Sequence, residues 1–158
     1  MNEARVSKRN ANDSADLVKR VGEKNYGYLY DTFHFHIEEK SQPAAITSTI
    51  KAINHVHISE NDRGTPGSGQ VNFPAVFKAL KQSGYDGWLT VEAFGSALPD
   101  LAAATKIWRP LFNRPEDVYE GAFKTMKDGW ATSREIPGVR VPEGSFMGTA
   151  GLAPSQAQ

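Results

Sequence analysis

Three short apolar runs, recurring about every 30 residues as in βαβ units, constrain the fold of this chain more than any other feature. Each run is rich in aromatic or β-branched residues and is almost continuously apolar. The runs cover Tyr26–Phe33, Asn54–Ser59 and Trp88–Phe94. Parallel strands that are buried on both faces have this pattern. The runs therefore predict three parallel β-strands.

Helical patterns lie before, between and after the predicted strands. Asn72 suits a helix N-cap and Gly84 a helix end, and Pro115 suits the first turn of a helix. We predict helices over Asp13–Val21, Ala44–Ala52, Asn72–Gly84, Pro99–Phe112 and Pro115–Trp130. The alternation of helices with strands indicates an α/β fold with a parallel sheet and right-handed crossovers.

The number of strands indicates an incomplete barrel. A closed (β/α)8 barrel has eight strands and typically about 250 residues, whereas this chain has 158. We therefore expect a partial barrel over residues 13–132. Residues 1–12 are weakly patterned, which predicts a poorly ordered N-terminus. Residues 133–158 contain three prolines, four glycines and few large apolar side chains, which predicts a disordered tail.

Composition excludes several classes of function. Eighteen basic residues balance eighteen acidic ones, so we expect neither nucleic acid nor an anionic membrane as a partner. No apolar run approaches the roughly 20 residues that span a bilayer. The absence of Cys excludes disulfides, thiolate catalysis and thiolate metal sites. The N-terminal stretch has no signal-peptide core, which predicts a cytoplasmic location.

Three hydrophilic residues close the predicted strands. Asp31 ends the first strand, His57 the second and Glu92 the third, and period-two alternation places each on the same face of its strand. Functional residues of barrels lie at the carboxyl ends of the strands. One imidazole and two carboxylates favour a hard or borderline divalent cation such as Mn²⁺, Mg²⁺ or Co²⁺. We therefore predict that these three residues form a metal site. The alternative is that Asp31 and Glu92 are strand-end carboxylates that accept hydrogen bonds from loop amides.

Other polar and aromatic residues near the strand ends are less specific. His34 is either a substrate-binding group or a loop residue, and Arg63 either orients a polar substrate or is an exposed charge. His36 and His55 are interpreted as structural. The loop Gly64–Gly69 has the flexibility of an active-site loop but lacks the spacing and lysine of a phosphate-binding loop. The three tryptophans are assigned to the core: Trp88, Trp108 and Trp130.

Four segments together resemble the ketose 3-epimerases, the D-tagatose/D-psicose 3-epimerase group of the xylose-isomerase-like sugar isomerase/epimerase superfamily. The resemblance runs from about Asp16 to Trp130. It lies in the order and spacing of DTFHFHIEE (Asp31–Glu39), HVHISENDR (His55–Arg63), PGSGQVNF (Pro66–Phe73) and YDGWLTVEAF (Tyr85–Phe94).

The resemblance implies a function for each matching residue. The family binds Mn²⁺, Co²⁺ or Mg²⁺ through two glutamates, an aspartate and a histidine, and epimerises a free ketose at C3 through an enediolate. Asp31, His57 and Glu92 match three of these ligands. His34 and Arg63 match residues that hold the ketose oxygens. Glu92 also matches one of the family's two acid–base groups.

The chain departs from the family pattern at one essential position. The family's first metal-binding glutamate, which is also its other acid–base group, precedes the aspartate by more residues than this chain has before Asp31. The chain therefore resembles about strands six to eight of the barrel. We expect it to be inactive alone as an epimerase. If it were active, another carboxylate, such as Glu60 or one from a partner subunit, would replace the missing base.

Two interpretations remain open at this point. In the first, the chain is a truncated or split isomerase that acts on a ketose or a related small sugar. In the second, it is a non-catalytic barrel fragment or assembly module. Hydroxypyruvate isomerases and sugar dehydratases of the same superfamily are further alternatives within the enzyme class. Unpaired strand edges and an open sheet face predict a homo-oligomer, or pairing with the N-terminal part of a barrel.

Overall fold

The computed structural model describes residues 10–133. The rest of the predicted N-terminal stretch and the predicted tail beyond Ser133 lie outside the described residues. No helix within this range is long and apolar enough to cross a membrane. In chain order the elements are α1 (Ala11–Val21), β1 (Tyr28–Asp31), α2 (Thr32–Glu38), α3 (Gln42–Thr49), a 3-10 helix (Ile50–Ala52), β2 (Ile53–Ile58), α4 (Phe73–Gln82), β3 (Leu89–Val91), α5 (Pro99–Thr105) and α6 (Pro115–Thr132).

The three strands form one parallel sheet in the order β1-β2-β3. Asp31 pairs with His57, and His57 pairs with Thr90 on the other side. The carboxyl ends of all three strands therefore meet at one edge of the sheet. The α/β fold with three parallel strands confirms the prediction from the apolar runs, although β1 and β3 are shorter than those runs.

Helices cover one face of the sheet. The strand side chains on that face are completely buried: Tyr30, Val56 and Ile58. They belong to the same core cluster as Phe77 and Leu80 of α4. Helix α4 in turn packs against α3 and α6. This layer of helices supports the sheet from one side and leaves the strand ends accessible.

The opposite face of the sheet is open. It carries Leu29, His55 and Trp88, because side chains alternate between the two faces along each strand. Leu29 is 42 % exposed and Trp88 is 64 % exposed. This is the uncovered face that the sequence predicts for an incomplete barrel.

Helix α2 occupies residues that the sequence analysis assigned in part to the first strand. Asp31 ends β1 and caps α2, where its side chain accepts hydrogen bonds from the backbone N–H groups of Phe33 and His34. Aromatic residues favour strands locally, but the ring of Phe35 stacks on Tyr30 with centroids 4.4 Å apart. The predicted strand end at Phe33 is therefore wrong, because the cap and the aromatic packing outweigh the local preference.

Helix α5 is shorter than predicted. It ends at Thr105, and Lys106 takes the left-handed conformation with φ 62°. Ile107 N donates to Ala102 O at 2.8 Å, and Lys106 N donates to Ala103 O at 3.4 Å. These bonds form a Schellman motif, which terminates the helix. The predicted helix to Phe112 is therefore wrong in its last turns.

The tryptophan prediction holds for one residue of three. Trp130 is 9 % exposed and belongs to the core, whereas Trp108 is 82 % exposed. Trp88 lies on the open face of the sheet. The core assignment is therefore wrong for Trp88 and Trp108, because both lie where no described element packs over them.

A buried lysine links α4 to the end of α6. Lys81 is 8 % exposed, and its Nζ donates to the backbone oxygens of Trp130 at 3.0 Å and Ser133 at 3.1 Å. Helix ends leave carbonyl groups without partners inside the helix, so Lys81 caps α6 from a neighbouring element.

Replacement of Lys81 by Met is expected to lower the free energy of unfolding by about 2 kcal/mol, because buried carbonyl groups lose charged donors. Urea unfolding followed by circular dichroism measures the change. The matched control is Lys78→Met, which alters an exposed lysine of the same helix and should leave stability within about 0.5 kcal/mol of the wild type. Equal effects of the two changes would contradict the capping function of Lys81.

Candidate metal centre

Three potential metal ligands meet at the carboxyl edge of the sheet. Asp31 is the last residue of β1, His57 lies one residue before the end of β2, and Glu92 follows β3 directly. Parallel pairing sets Asp31 beside His57. The backbone N–H of Glu92 donates to Ile58 O at 3.0 Å, which continues the pairing past β3. The order of the strands in the sheet thus places the three side chains side by side.

The side-chain atoms of these residues converge on one point. His57 Nδ1 lies 3.6 Å from Asp31 Oδ2 and 3.3 Å from Glu92 Oε1. One potential ligand atom from each residue lies within 4.8 Å of the other two. Ligands about 2.1 Å from a common ion are separated by no more than about 4.2 Å. Small side-chain adjustments therefore suffice to bind one cation.

Each carboxylate is oriented by one oxygen and presents the other. Oδ1 of Asp31 caps α2, with the N–H groups of Phe33 and His34 at 2.8 and 3.4 Å, so Oδ2 faces His57. Oε2 of Glu92 accepts a hydrogen bond from Arg63 at 2.5 Å, so Oε1 faces His57. Outer hydrogen bonds of this kind orient metal ligands and tune their affinity. The donor set of one imidazole and two carboxylates fits a hard or borderline divalent cation.

The structure brings Arg63 and His34 to the edge of this cluster. Arg63 contacts His34 Nε2 at 3.2 Å in addition to Glu92. The guanidinium carbon lies 3.9 Å from the ring centre of Phe33 and 4.9 Å from that of Phe94. Two aromatic rings and two polar contacts therefore hold the Arg63 side chain, which is 12 % exposed.

The other two histidines lie outside the three-residue cluster among residues 10–133. His55 stands next to His57 on β2, with ring centroids 5.3 Å apart and the planes nearly perpendicular. Burial and the neighbouring His57 lower the pKa of His55 from its ordinary value of 6.5, which favours a neutral imidazole at neutral pH. His36 lies in α2, beyond the strand edge.

Two features of the site were missed by sequence reasoning. Phe33 and Phe94, which enclose Arg63, were assigned only to predicted strands. Their positions two residues after Asp31 and Glu92 were the available signal. Glu60, considered as a substitute base, is completely buried and accepts hydrogen bonds from three backbone amides. It therefore has no access to a substrate in this structure.

Comparison with known proteins identifies the family. Residues 2–128 match the model of the xylose isomerase-like TIM barrel family. The chain is 37 % identical over 113 residues to a ketose 3-epimerase of Arthrobacter globiformis. The aligned region covers 70 % of this chain and 39 % of that protein. It is 32 % identical over 118 residues to a D-psicose 3-epimerase of Ruminiclostridium cellulolyticum, covering 75 % of this chain and 38 % of that protein.

Solved structures agree with the sequence comparison. An L-ribulose 3-epimerase structure superposes with a TM-score of 0.75 at 33 % identity, over 80 % of this chain and 43 % of that chain. The chain thus spans about two fifths of the length of the curated relatives that it matches. With its three parallel strands, it belongs to the xylose isomerase-like TIM barrel family as a partial barrel.

Proposed function

We propose that this chain supplies the metal-binding side of a ketose 3-epimerase active site, which exchanges the proton at C3 of a free ketose. The observation that carries the proposal is the convergence of Asp31, His57 and Glu92 at the carboxyl edge of three neighbouring strands. Ketose 3-epimerases among the relatives support the choice of reaction.

Asp31, His57 and Glu92 are proposed to bind Mn²⁺, Co²⁺ or Mg²⁺. Their two carboxylates and one imidazole suit these ions better than soft metals. When bound, the cation supplies Lewis-acid chemistry that polarises the carbonyl of the ketose. Three protein ligands leave further coordination positions open, so substrate oxygens have room at the same centre.

Glu92 is proposed as the acid–base group on one face of the substrate. The C3–H bond breaks, the proton moves to Oε2 of Glu92, and the electron pair of that bond enters the enediolate. Arg63 contacts the same oxygen and is proposed to keep it oriented toward the substrate. Arg63 and the exposed His34 next to it are proposed to hold the ketose oxygens.

Inversion at C3 requires a second acid–base group on the opposite face of the substrate. Among residues 10–133, the carboxylate considered as a substitute base, Glu60, is completely buried. We therefore propose that the second group comes from additional barrel strands, whether they belong to the same polypeptide or to another.

The proposed contact with those strands has two parts. In the described sheet, β1 and β3 are edge strands, and unpaired edges favour pairing with further strands. An open groove of about 420 Å³ runs beside β3 and is lined mainly by apolar residues of β3, α5, α6 and the segments that connect them. The lining includes Phe94, Leu98, Leu101, Phe112 and Tyr119. Self-association through the same edges is the alternative.

The proposal is tested by reconstitution. The 158-residue chain is mixed with a polypeptide that carries the first five strands of a related ketose 3-epimerase, and C3 epimerisation of D-fructose and D-tagatose is measured with Mn²⁺. We expect no turnover by either part alone and measurable turnover by the mixture. Sedimentation of the same samples should show a complex of the two parts.

Two outcomes would contradict the proposal. Robust epimerisation by the isolated chain would show that a second acid–base group is already present. A stable complex without epimerase activity would exclude the reaction. Hydroxypyruvate is included as a substrate because a hydroxypyruvate isomerase of Escherichia coli is 34 % identical over 77 residues; turnover of this substrate alone would favour that isomerase activity instead.

A further inference from the structure

A completely buried carboxylate lies at the centre of the loop that follows β2. Oε1 of Glu60 accepts hydrogen bonds from the backbone N–H groups of Asn61 at 3.0 Å and Val71 at 2.9 Å. Oε2 accepts a hydrogen bond from Gly67 N at 2.9 Å. A buried charge is tolerated only with such partners. Glu60 thus joins the start, the middle and the end of the 60–71 loop.

The loop is closely fitted around this carboxylate. A Cβ atom added at Gly69 would lie 2.7 Å from Cδ of Glu60 and 2.4 Å from Oδ1 of Asn61. The same Asn61 oxygen accepts a hydrogen bond from Gln70 N at 2.7 Å. Gly67 has φ 95°, a conformation that favours glycine. The conformation of the loop therefore depends on the group at its centre.

The same loop determines where Arg63 lies. Arg63 N donates to Glu60 O at 2.9 Å, and Arg63 O accepts from Phe94 N at 2.8 Å. Arg63 has φ 64°, which non-glycine residues adopt only when the surrounding structure holds them there. Its guanidinium then reaches Oε2 of Glu92. Arg63 thus contacts the backbone of the loop that closes around Glu60 on one side and Glu92 on the other.

We propose that Glu60 is a positioning residue for the metal centre. Its carboxylate holds the 60–71 loop so that Arg63 binds one oxygen of Glu92 and leaves the other turned toward His57. Glu60 does not contact the substrate, because its side chain is completely buried. The effect on metal affinity rests on the proposed function, whereas the effect on the position of Arg63 does not.

The test combines two substitutions in a double-mutant cycle. Glu60→Gln places an amide donor against a backbone donor, so at least one loop amide loses its bond. Arg63→Met removes the contact with Glu92. Co²⁺ affinity of the 158-residue chain is measured by titration for the wild type, both single variants and the double variant. We expect Glu60→Gln to weaken Co²⁺ binding about tenfold and to add little once Arg63 is Met, because both changes act through one contact.

A matched control separates positioning from general loss of stability. Thr125 of α6 donates its hydroxyl to Pro66 O at 3.0 Å, so Thr125→Val loosens the same loop without removing a hydrogen bond of Glu60. It should lower thermal stability and leave Co²⁺ affinity close to the wild-type value. Glu60→Asp, which keeps the charge but shortens the side chain, should weaken binding less than Glu60→Gln. An unchanged affinity in Glu60→Gln, or independent effects of Glu60→Gln and Arg63→Met, would overturn the proposal.

A second readout does not depend on metal. The Nη–H signal of Arg63 in ¹⁵N NMR spectra should be protected from solvent exchange in the wild type and in Thr125→Val, because Nη1 donates to Glu92. It should lose that protection in Glu60→Gln. If the wild type binds no Co²⁺, the proposed metal site fails, and this signal still tests the positioning function of Glu60. Retained protection in Glu60→Gln would overturn that function even if the metal site is real.

Discussion

Glu92→Gln is expected to reduce turnover of the reconstituted epimerase by about 10³-fold or more at saturating Mn²⁺. One positioned acid–base group typically contributes about 10²–10⁴-fold, and an amide cannot accept the C3 proton. Glutamine retains an oxygen that can face His57, while its amide nitrogen replaces the oxygen that accepts from Arg63. Saturating metal therefore separates loss of the base from loss of a ligand. Steady-state kinetics with D-fructose or D-tagatose measures the change.

The control for this change is Glu38→Gln, which alters an exposed glutamate of α2 away from the cluster. It should leave turnover and complex formation at the level of the wild type. Exchange of the C3 proton with deuterated solvent provides an independent measure of the first chemical step. If Glu92→Gln keeps both turnover and proton exchange, another group abstracts the proton and the function proposed for Glu92 is wrong.

His57→Ala is expected to weaken Co²⁺ binding to the chain by more than about 100-fold. Even outer residues that orient metal ligands change affinity by about 10–100-fold, and His57 is proposed to bind the ion directly. Its Nδ1 lies between the two carboxylates. Without the imidazole, the site loses its only nitrogen ligand, and the carboxylates of Asp31 and Glu92 have no group between them. Titration followed by the visible absorption of Co²⁺ measures the affinity and reports the ligand set.

The matched control is His55→Ala, which removes a histidine two residues earlier on the same strand. His55 lies outside the converging cluster, so this variant should bind Co²⁺ with nearly the wild-type affinity. Similar losses in both variants would indicate that the ion binds elsewhere or that β2 is disrupted. Circular dichroism of each variant distinguishes those two causes.

Much of this architecture could be predicted from the sequence because it depends on local patterns. Continuous apolar runs located the three strands, and their parallel pairing follows from the intervening helices. The positions of Asp31, His57 and Glu92 at the strand ends could be predicted because parallel strands share one carboxyl edge. The convergence of their side chains follows from the register of Asp31 with His57 and from the continuation of the pairing at Glu92.

The errors of the sequence analysis also have local causes. Phe33 was assigned to the first strand, yet the cap at Asp31 and the stacking of Phe35 on Tyr30 favour α2. Trp88 has a large apolar side chain of the kind found in cores, but it lies on the face of the sheet that no described element covers. A hydrophobic pattern indicates which residues can be buried, and only the packing of the whole fold determines which of them are.

The sequence by itself thus determined the strands, their direction and the three residues at their ends, because these follow from periodicity within short segments. Only the tertiary structure decided how each carboxylate is oriented. The orientation of Glu92 depends on Arg63, a residue 29 positions away in the chain. The position of Arg63 depends in turn on the aromatic rings of Phe33 and Phe94 and on the loop closed around Glu60. These contacts join distant segments, so no local pattern in the sequence encodes them.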